Sequence, residues 1–200
     1  MKKSTIILLV AAAILLVAAA ILVIWCISSY NSLVQKDEKV TAAWGNVETQ
    51  YQRRADLIPN LVNVVKGYAK HEQGTLTAVI EARSKATSIT IDPSNITPEE
   101  LAKFQAAQQG VTGALGKLLA VAEAYPDLKA NENFMDLQKQ LEGTENRIAE
   151  SRRVFNETAK EYNMEVRTFP NNILAGLFGL NTRAYFESDY GANKAPKVEF

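Results

Sequence analysis

His71 is the only histidine of the sequence and Cys26 its only cysteine. A zinc site needs several Cys, His or acidic ligands at helical spacings, and His71 has no Cys or His partner. Tyr68 stands three residues before it, where a di-metal helical bundle would carry a glutamate. His71-Glu72 lacks the second histidine of a zincin pattern. Phosphotransfer through a bundle histidine is the chemistry left, and a partly exposed helix residue is the simpler reading. Cys26 lies inside an apolar run, where it makes neither an internal disulfide nor a catalytic nucleophile. Lipidation at a signal cleavage site needs small residues upstream, and Ile24 and Trp25 stand there. Gly110, Gly113 and Gly116 have no preceding strand to make a phosphate loop. On a helix their spacing permits close approach of a neighbouring helix. Carboxylates are plentiful but form no distinct pair. The residues predict a non-enzymatic protein with no catalytic set, no metal and no cofactor.

One stretch is dense in functional groups: Tyr51-Gln52-Arg53-Arg54-Ala55-Asp56-Leu57-Ile58-Pro59-Asn60-Leu61-Val62. Arg53 and Arg54 beside Asp56 are expected to pair across a bundle at a kink caused by Pro59. Such an ion pair fixes helix register, a reading preferred over a ligand site.

What positions these residues begins with a membrane anchor. From Ile6 to Ile27 every residue is Ile, Leu, Val, Ala, Trp or Cys. A helix of that length is roughly 33 Å long, against a hydrocarbon core of about 30 Å. Only a helix satisfies its own backbone in lipid, and Trp25 and Tyr30 suit the interface. A cleaved signal peptide would have a shorter apolar run and a small-residue cleavage site, so a retained anchor is expected. Lys2 and Lys3 precede the span, and Lys36 and Lys39 follow it among Asp37 and Glu38; the expected orientation puts the N-terminus in the cytoplasm and the domain outside. Lys plus Arg number 22 and Asp plus Glu 22, so no broad basic field exists and nucleic acid is not an expected partner.

Beyond the span the period becomes that of an amphipathic helix. Leu33, Val40, Trp44, Val47, Tyr51, Ile58, Val62, Val65, Ala69, Leu76, Val79 and Arg83 form one stripe. The first helix is expected to pass Pro59 with a kink and to stop near Ala86 to Ser88, Gly74 weakening it locally. Asp92-Pro93-Ser94-Asn95 marks a turn, and Thr97-Pro98-Glu99-Glu100 opens helix two with a capping box. Leu101, Phe104, Val111, Leu115, Leu118 and Ala122 face inward, and Pro126-Asp127 ends the segment. Helix three spans about Asn131 to Arg167, with Phe134, Leu137, Leu141, Ile148, Phe155 and Tyr162 at coiled-coil spacing. Phe169-Pro170-Asn171-Asn172 breaks it. The fold is therefore expected to be all-α: a transmembrane helix and a long-helix antiparallel bundle, four-helix-bundle-like, of three long helices. Its divisions are an N-terminus and anchor (1–29), a helical bundle (30–168), and an irregular apolar and polar C-terminal tail (169–200).

Helix lengths carry a functional expectation. Residues 60–87 and 98–124 pair antiparallel, while helix three covers only part of 33–58. The stripe Leu33, Val40, Trp44, Val47 and Tyr51 then lacks a full partner within one chain. Burying a large side chain is worth roughly 1.5–3 kcal/mol, so a partner is expected to cover it.

The same residues carry a resemblance. Tyr30 to Val34, Ala43-Trp44, Gln50 to Val62, Val65 to Tyr68 and His71-Glu72 resemble the LemA family. So do Arg147 to Ala149, Arg152-Arg153, Phe155-Asn156, Tyr162-Asn163, Phe169-Pro170 and Phe178-Gly179. Gly45 departs from the serine many members have after Ala-Trp. The resemblance implies a bacterial membrane-anchored helical bundle with no catalytic residues to carry over. Relatives are often encoded beside a membrane zinc metallopeptidase, which implies a role in envelope stress or proteolysis. The leading expectation is a self-associating scaffold in the bacterial inner membrane, with the bilayer and copies of itself as partners. An adaptor for a membrane protease is the second, and membrane remodelling through Ile173–Leu180 the third.

Overall fold

A computed structural model describes residues 3–187. Among these the regular elements are all helices: α1 (Lys3–Tyr68), α2 (Gln73–Thr87), α3 (Pro98–Ala122), α4 (Pro126–Lys129), α5 (Glu132–Arg167) and α6 (Asn171–Leu177).

Helix α1 is continuous over 66 residues, about 100 Å at 1.5 Å per residue. Its apolar first part has the length and composition of a membrane span, and none of it is buried by the rest of the chain. The same helix then enters the core of the bundle. It passes through Pro59 without a break, and the carbonyl that proline leaves without a donor, that of Ala55, accepts from Arg83 Nε at 2.7 Å.

The expected single helix to residue 86–88 is divided. The chain leaves helix after Tyr68, and the turn closes with Glu72 N–H donating to the Ala69 carbonyl at 3.1 Å. Helix α2 then folds back on α1, bringing Arg83 level with Ala55. The apolar period runs unbroken through the turn because both segments face one core. Ala69, Leu76 and Val79 are all buried. No Pro or Asn-Gly marks the reversal at Lys70-His71.

The start of α3 is as the sequence predicts. The Thr97 hydroxyl accepts from Glu100 N–H at 3.2 Å, Glu100 Oε2 accepts from Thr97 N–H at 3.3 Å, and Pro98 occupies the first turn. Helix α5 is capped by Asn131, whose Oδ1 accepts from Phe134 N–H at 3.0 Å. Ion pairs Lys36–Glu165 and Arg54–Glu145 fix α5 antiparallel along α1. Gly110, Gly113 and Gly116 stand on the exposed side of α3, and a Cβ at any of them would meet nothing within 4 Å. Among the described residues, the close helix approach that this spacing permits is not made.

Two core clusters stack along α1. The distal one holds Ile58, Leu61, Val65, Val79, Leu115, Leu118 and Phe134. The membrane-proximal one is built on Leu33, Val40, Trp44 and Val47 of α1 with Phe155, Ala159 and Tyr162 of α5. Residues 169–187, expected as an irregular tail, contribute Ala175 and Phe186 to this cluster and belong to the packed domain. The last residues of the expected tail lie outside the described ones.

Candidate functional site

The Arg53–Val62 segment divides between two faces of α1. Arg54 is 2% exposed, whereas Arg53 and Asp56 are exposed. Asp56 accepts from Gln52 Nε2 at 2.7 Å and takes no part in the cross-bundle pairing expected of it. Arg54 instead pairs with Glu145 on α5, Nη1 to Oε1 at 2.7 Å, and donates to Thr112 Oγ1 at 2.9 Å. Its Nη2 donates to the Gln108 carbonyl at 3.1 Å and to Gln108 Oε1 at 2.6 Å. Every terminal N–H of the guanidinium is thus engaged within the protein. The group also lies 5.2 Å from the centre of the Tyr51 ring. A planar fork reaches acceptors on several helices at once, which a lysine would not do. Arg54 ties α1, α3 and α5, with its four terminal N–H groups occupied inside the bundle.

The stripe expected to need a partner finds it at home. Leu33, Val40, Trp44 and Val47 are fully buried and Tyr51 is 6% exposed. Helix α5 runs beside them as far as Glu165. The rest of the cover comes from Ile91 and Ile96 of the α2–α3 connection, Phe104 of α3 and Phe186 of the C-terminal segment. Helix lengths alone leave this cover out, because much of it comes from the α2–α3 connection and the C-terminal segment, with Phe104 reaching in from α3. Trp44 sits in an aromatic nest, 5.4 Å from Phe104, 5.6 Å from Phe155 and stacked on Phe186 at 6.0 Å. Both edge-on and stacked contacts are favourable for aromatic quadrupoles.

The device that holds Phe186 over Trp44 has little signature in the sequence. Residues 181–187 run as a strap along α5, fastened by two side-chain amides that imitate a strand partner. Asn163 Oδ1 accepts from Arg183 N–H at 2.7 Å and its Nδ2 donates to the Arg183 carbonyl at 2.8 Å. Asn156 repeats the pattern on Phe186 at 2.8 and 2.9 Å. Two asparagines seven residues apart on one helix face were the available signal. The strap is locked further by Arg183 Nη2 donating to Asp37 Oδ1 at 2.6 Å, with the arginine side chain 5% exposed.

Below the strap, Glu165 bonds Lys36 Nζ and accepts from Ser32 Oγ at 2.6 Å. Burial raises its pKa, but the bonds from Lys36 and Ser32 outweigh that and hold it below the ordinary glutamate value. Burial, with the negative charge of Asp37, pushes the Tyr162 hydroxyl up to about 12. His71 is exposed in the α1–α2 turn. Among the described residues no three His, Cys, Asp or Glu side chains group to hold a metal ion. The arrangement is one of ties and locks.

The chain matches the LemA family model over residues 43–200. Magnetosome proteins MamQ 1 and MamQ 2 of Paramagnetospirillum magneticum are each 29% identical to it over 175 residues, covering 79% of this chain and 64% of theirs. Protein LemA of Metamycoplasma hominis is 26% identical over 158 residues, covering 79% of this chain and 68% of its own. The chain thus spans just under two thirds of the length of the MamQ relatives.

Proposed function

The chain belongs to the LemA family, and on that premise we propose that it is a membrane-anchored, non-catalytic scaffold that assembles with copies of itself through its anchor. One observation carries the reading: α1 is a single helix from the apolar span into the bundle core. The anchor and domain therefore form one stiff element, and the buried guanidinium of Arg54 at its centre is tied to α3 and α5. Similarity to magnetosome proteins supports a role other than catalysis.

The covered stripe moves self-association elsewhere. Ala11, Ala12, Ala18 and Ala19 recur at seven-residue spacing on the exposed anchor. Small residues let transmembrane helices approach closely, which is what drives their association in lipid. The second reading, an adaptor for a membrane metallopeptidase or another envelope enzyme, would use the same anchor face for a different protein. We place the span in the bacterial inner membrane with the domain outside, on the strength of Lys2 and Lys3 before it.

A photocrosslinker at Ile14 of the full-length protein in its membrane separates the two. A product of twice the chain's mass supports the scaffold. A single heavier product containing another membrane protein supports the adaptor, and the absence of any product from Ile14 contradicts both.

A further inference from the structure

We propose that α6 and the turns flanking it rest on the bilayer, the outer face of this short helix entering the headgroup and acyl boundary of the leaflet from which α1 emerges. The proposal deepens the membrane-anchored reading and rests on it. Helix α6 is apolar on two sides. Leu174 and Ala175 are buried in the domain, while Ile173 and Leu177 are 55% and 75% exposed. Phe169 at 74% and Phe178 at 57% extend the outer face on either side. After the two asparagines of its first turn the helix is apolar or glycine on every side; such a stretch belongs in a core or a membrane, and only one side of this one has a core.

Position decides what covers the other side. Tyr30, just past the apolar run of α1, has its ring centre 4.6 Å from that of Phe178. Tyr30 is three residues beyond Ile27, about 4.5 Å along the helix. The stiff α1 therefore fixes Phe178 at the level where aromatic rings settle in a bilayer. Charge distribution argues independently for the same neighbour. From Thr168 to Thr182 no residue is charged, and neither is any from Ser28 to Gln35, on the facing stretch of α1. The two stretches form one uncharged collar at the membrane end of an otherwise charge-rich domain. Arg167, exposed at the end of α5, stands at its edge, where a cationic side chain reaches headgroups.

The test is spin-label accessibility of full-length protein in phosphatidylcholine–phosphatidylglycerol vesicles, in a Cys26→Ser background. Labels are placed singly through Leu177→Cys, Val17→Cys in the span and Lys117→Cys on α3. The expected result is preferential relaxation by oxygen at 177 and 17, and by an aqueous nickel chelate at 117. Inserting seven alanines between Ile27 and Ser28 lifts the domain about 10 Å and should turn the 177 label water-accessible while leaving 17 unchanged. A water-exposed label at 177 beside a lipid-exposed one at 17 overturns the proposal and leaves the anchor standing. A label at 177 shielded from both reagents overturns it too, in favour of a protein covering that face. A water-exposed label at 17 overturns the anchor reading itself.

Discussion

Arg83 on α2 donates from Nε to the carbonyl oxygen of Ala55 on α1 at 2.7 Å. Ala55 lies four residues before Pro59, so its carbonyl is the one that loses its helical donor to the proline ring. The arginine thereby supplies from a neighbouring helix the bond that the sequence of α1 withholds, at a residue 7% exposed.

This pairing predicts a specific dependence between two distant positions. Arg83→Leu leaves a buried carbonyl unsatisfied and should cost about 1–3 kcal/mol. A Pro59→Ala background restores a backbone N–H at that position to bond the Ala55 carbonyl, and there the same substitution should cost markedly less. Chemical denaturation of the four proteins of the cycle in detergent measures the coupling. Equal costs in both backgrounds would show that Arg83 does not serve the proline gap.

Arg54 and Glu145 should respond unequally. The arginine side chain is 2% exposed and the glutamate 42%. Glu145→Ala strands a buried cation among neutral acceptors, which should cost about 3 kcal/mol. Arg54→Met leaves a glutamate that turns to water, and the double variant should be more stable than Glu145→Ala alone. Thermal melts followed by circular dichroism rank them; a double variant no better than Glu145→Ala would refute the ordering.

The strap predicts that the last part of the domain is a structural element. Phe186→Ala opens the nest around Trp44 and should destabilise the protein by about 3–5 kcal/mol. Asn163→Leu, which removes both bonds to Arg183, should make the strap the first site of proteolytic cleavage. Unchanged melting and digestion for both would mean the strap is dispensable.

Stability should fall on acidification partly through Glu165. Its pKa is lowered in the folded protein, so its contribution is complete above the ordinary value of 4.5 and is lost as pH falls through the lower folded value. Asp92 and Glu150 are lowered as well, by hydrogen bonds from Ser94 and Arg153 outweighing burial. Glu165→Gln should therefore flatten, without abolishing, the decline in melting temperature below pH 4.5. An unchanged slope would contradict the role given to Lys36 and Ser32.

The long helices were legible because periodicity and capping are local. Ile6–Ile27, Thr97-Pro98-Glu99-Glu100 and the Phe134-to-Tyr162 seam each state their structure within a few turns. The α1–α2 turn was hidden because its apolar residues keep the helical period across the reversal. Arg54 was visible as unusual, but its partner Glu145 lies far along the chain, and the nearer Asp56 drew the assignment. Trp44, on an apolar stripe, shows in the sequence as a residue that needs cover. Phe186, which supplies part of it, lies in a segment without regular periodicity, and the only sign of what holds it is the seven-residue spacing of Asn156 and Asn163 on a different element.

The most direct test of the scaffold reading is the mass of the full-length protein in mild detergent, by light scattering after size separation, for wild type and for Ala11→Leu/Ala18→Leu. The account predicts a discrete oligomer that falls to monomer in the variant while the melting temperature of the domain stays the same. A monomeric wild type, or an oligomer indifferent to both alanines, would contradict assembly through the anchor.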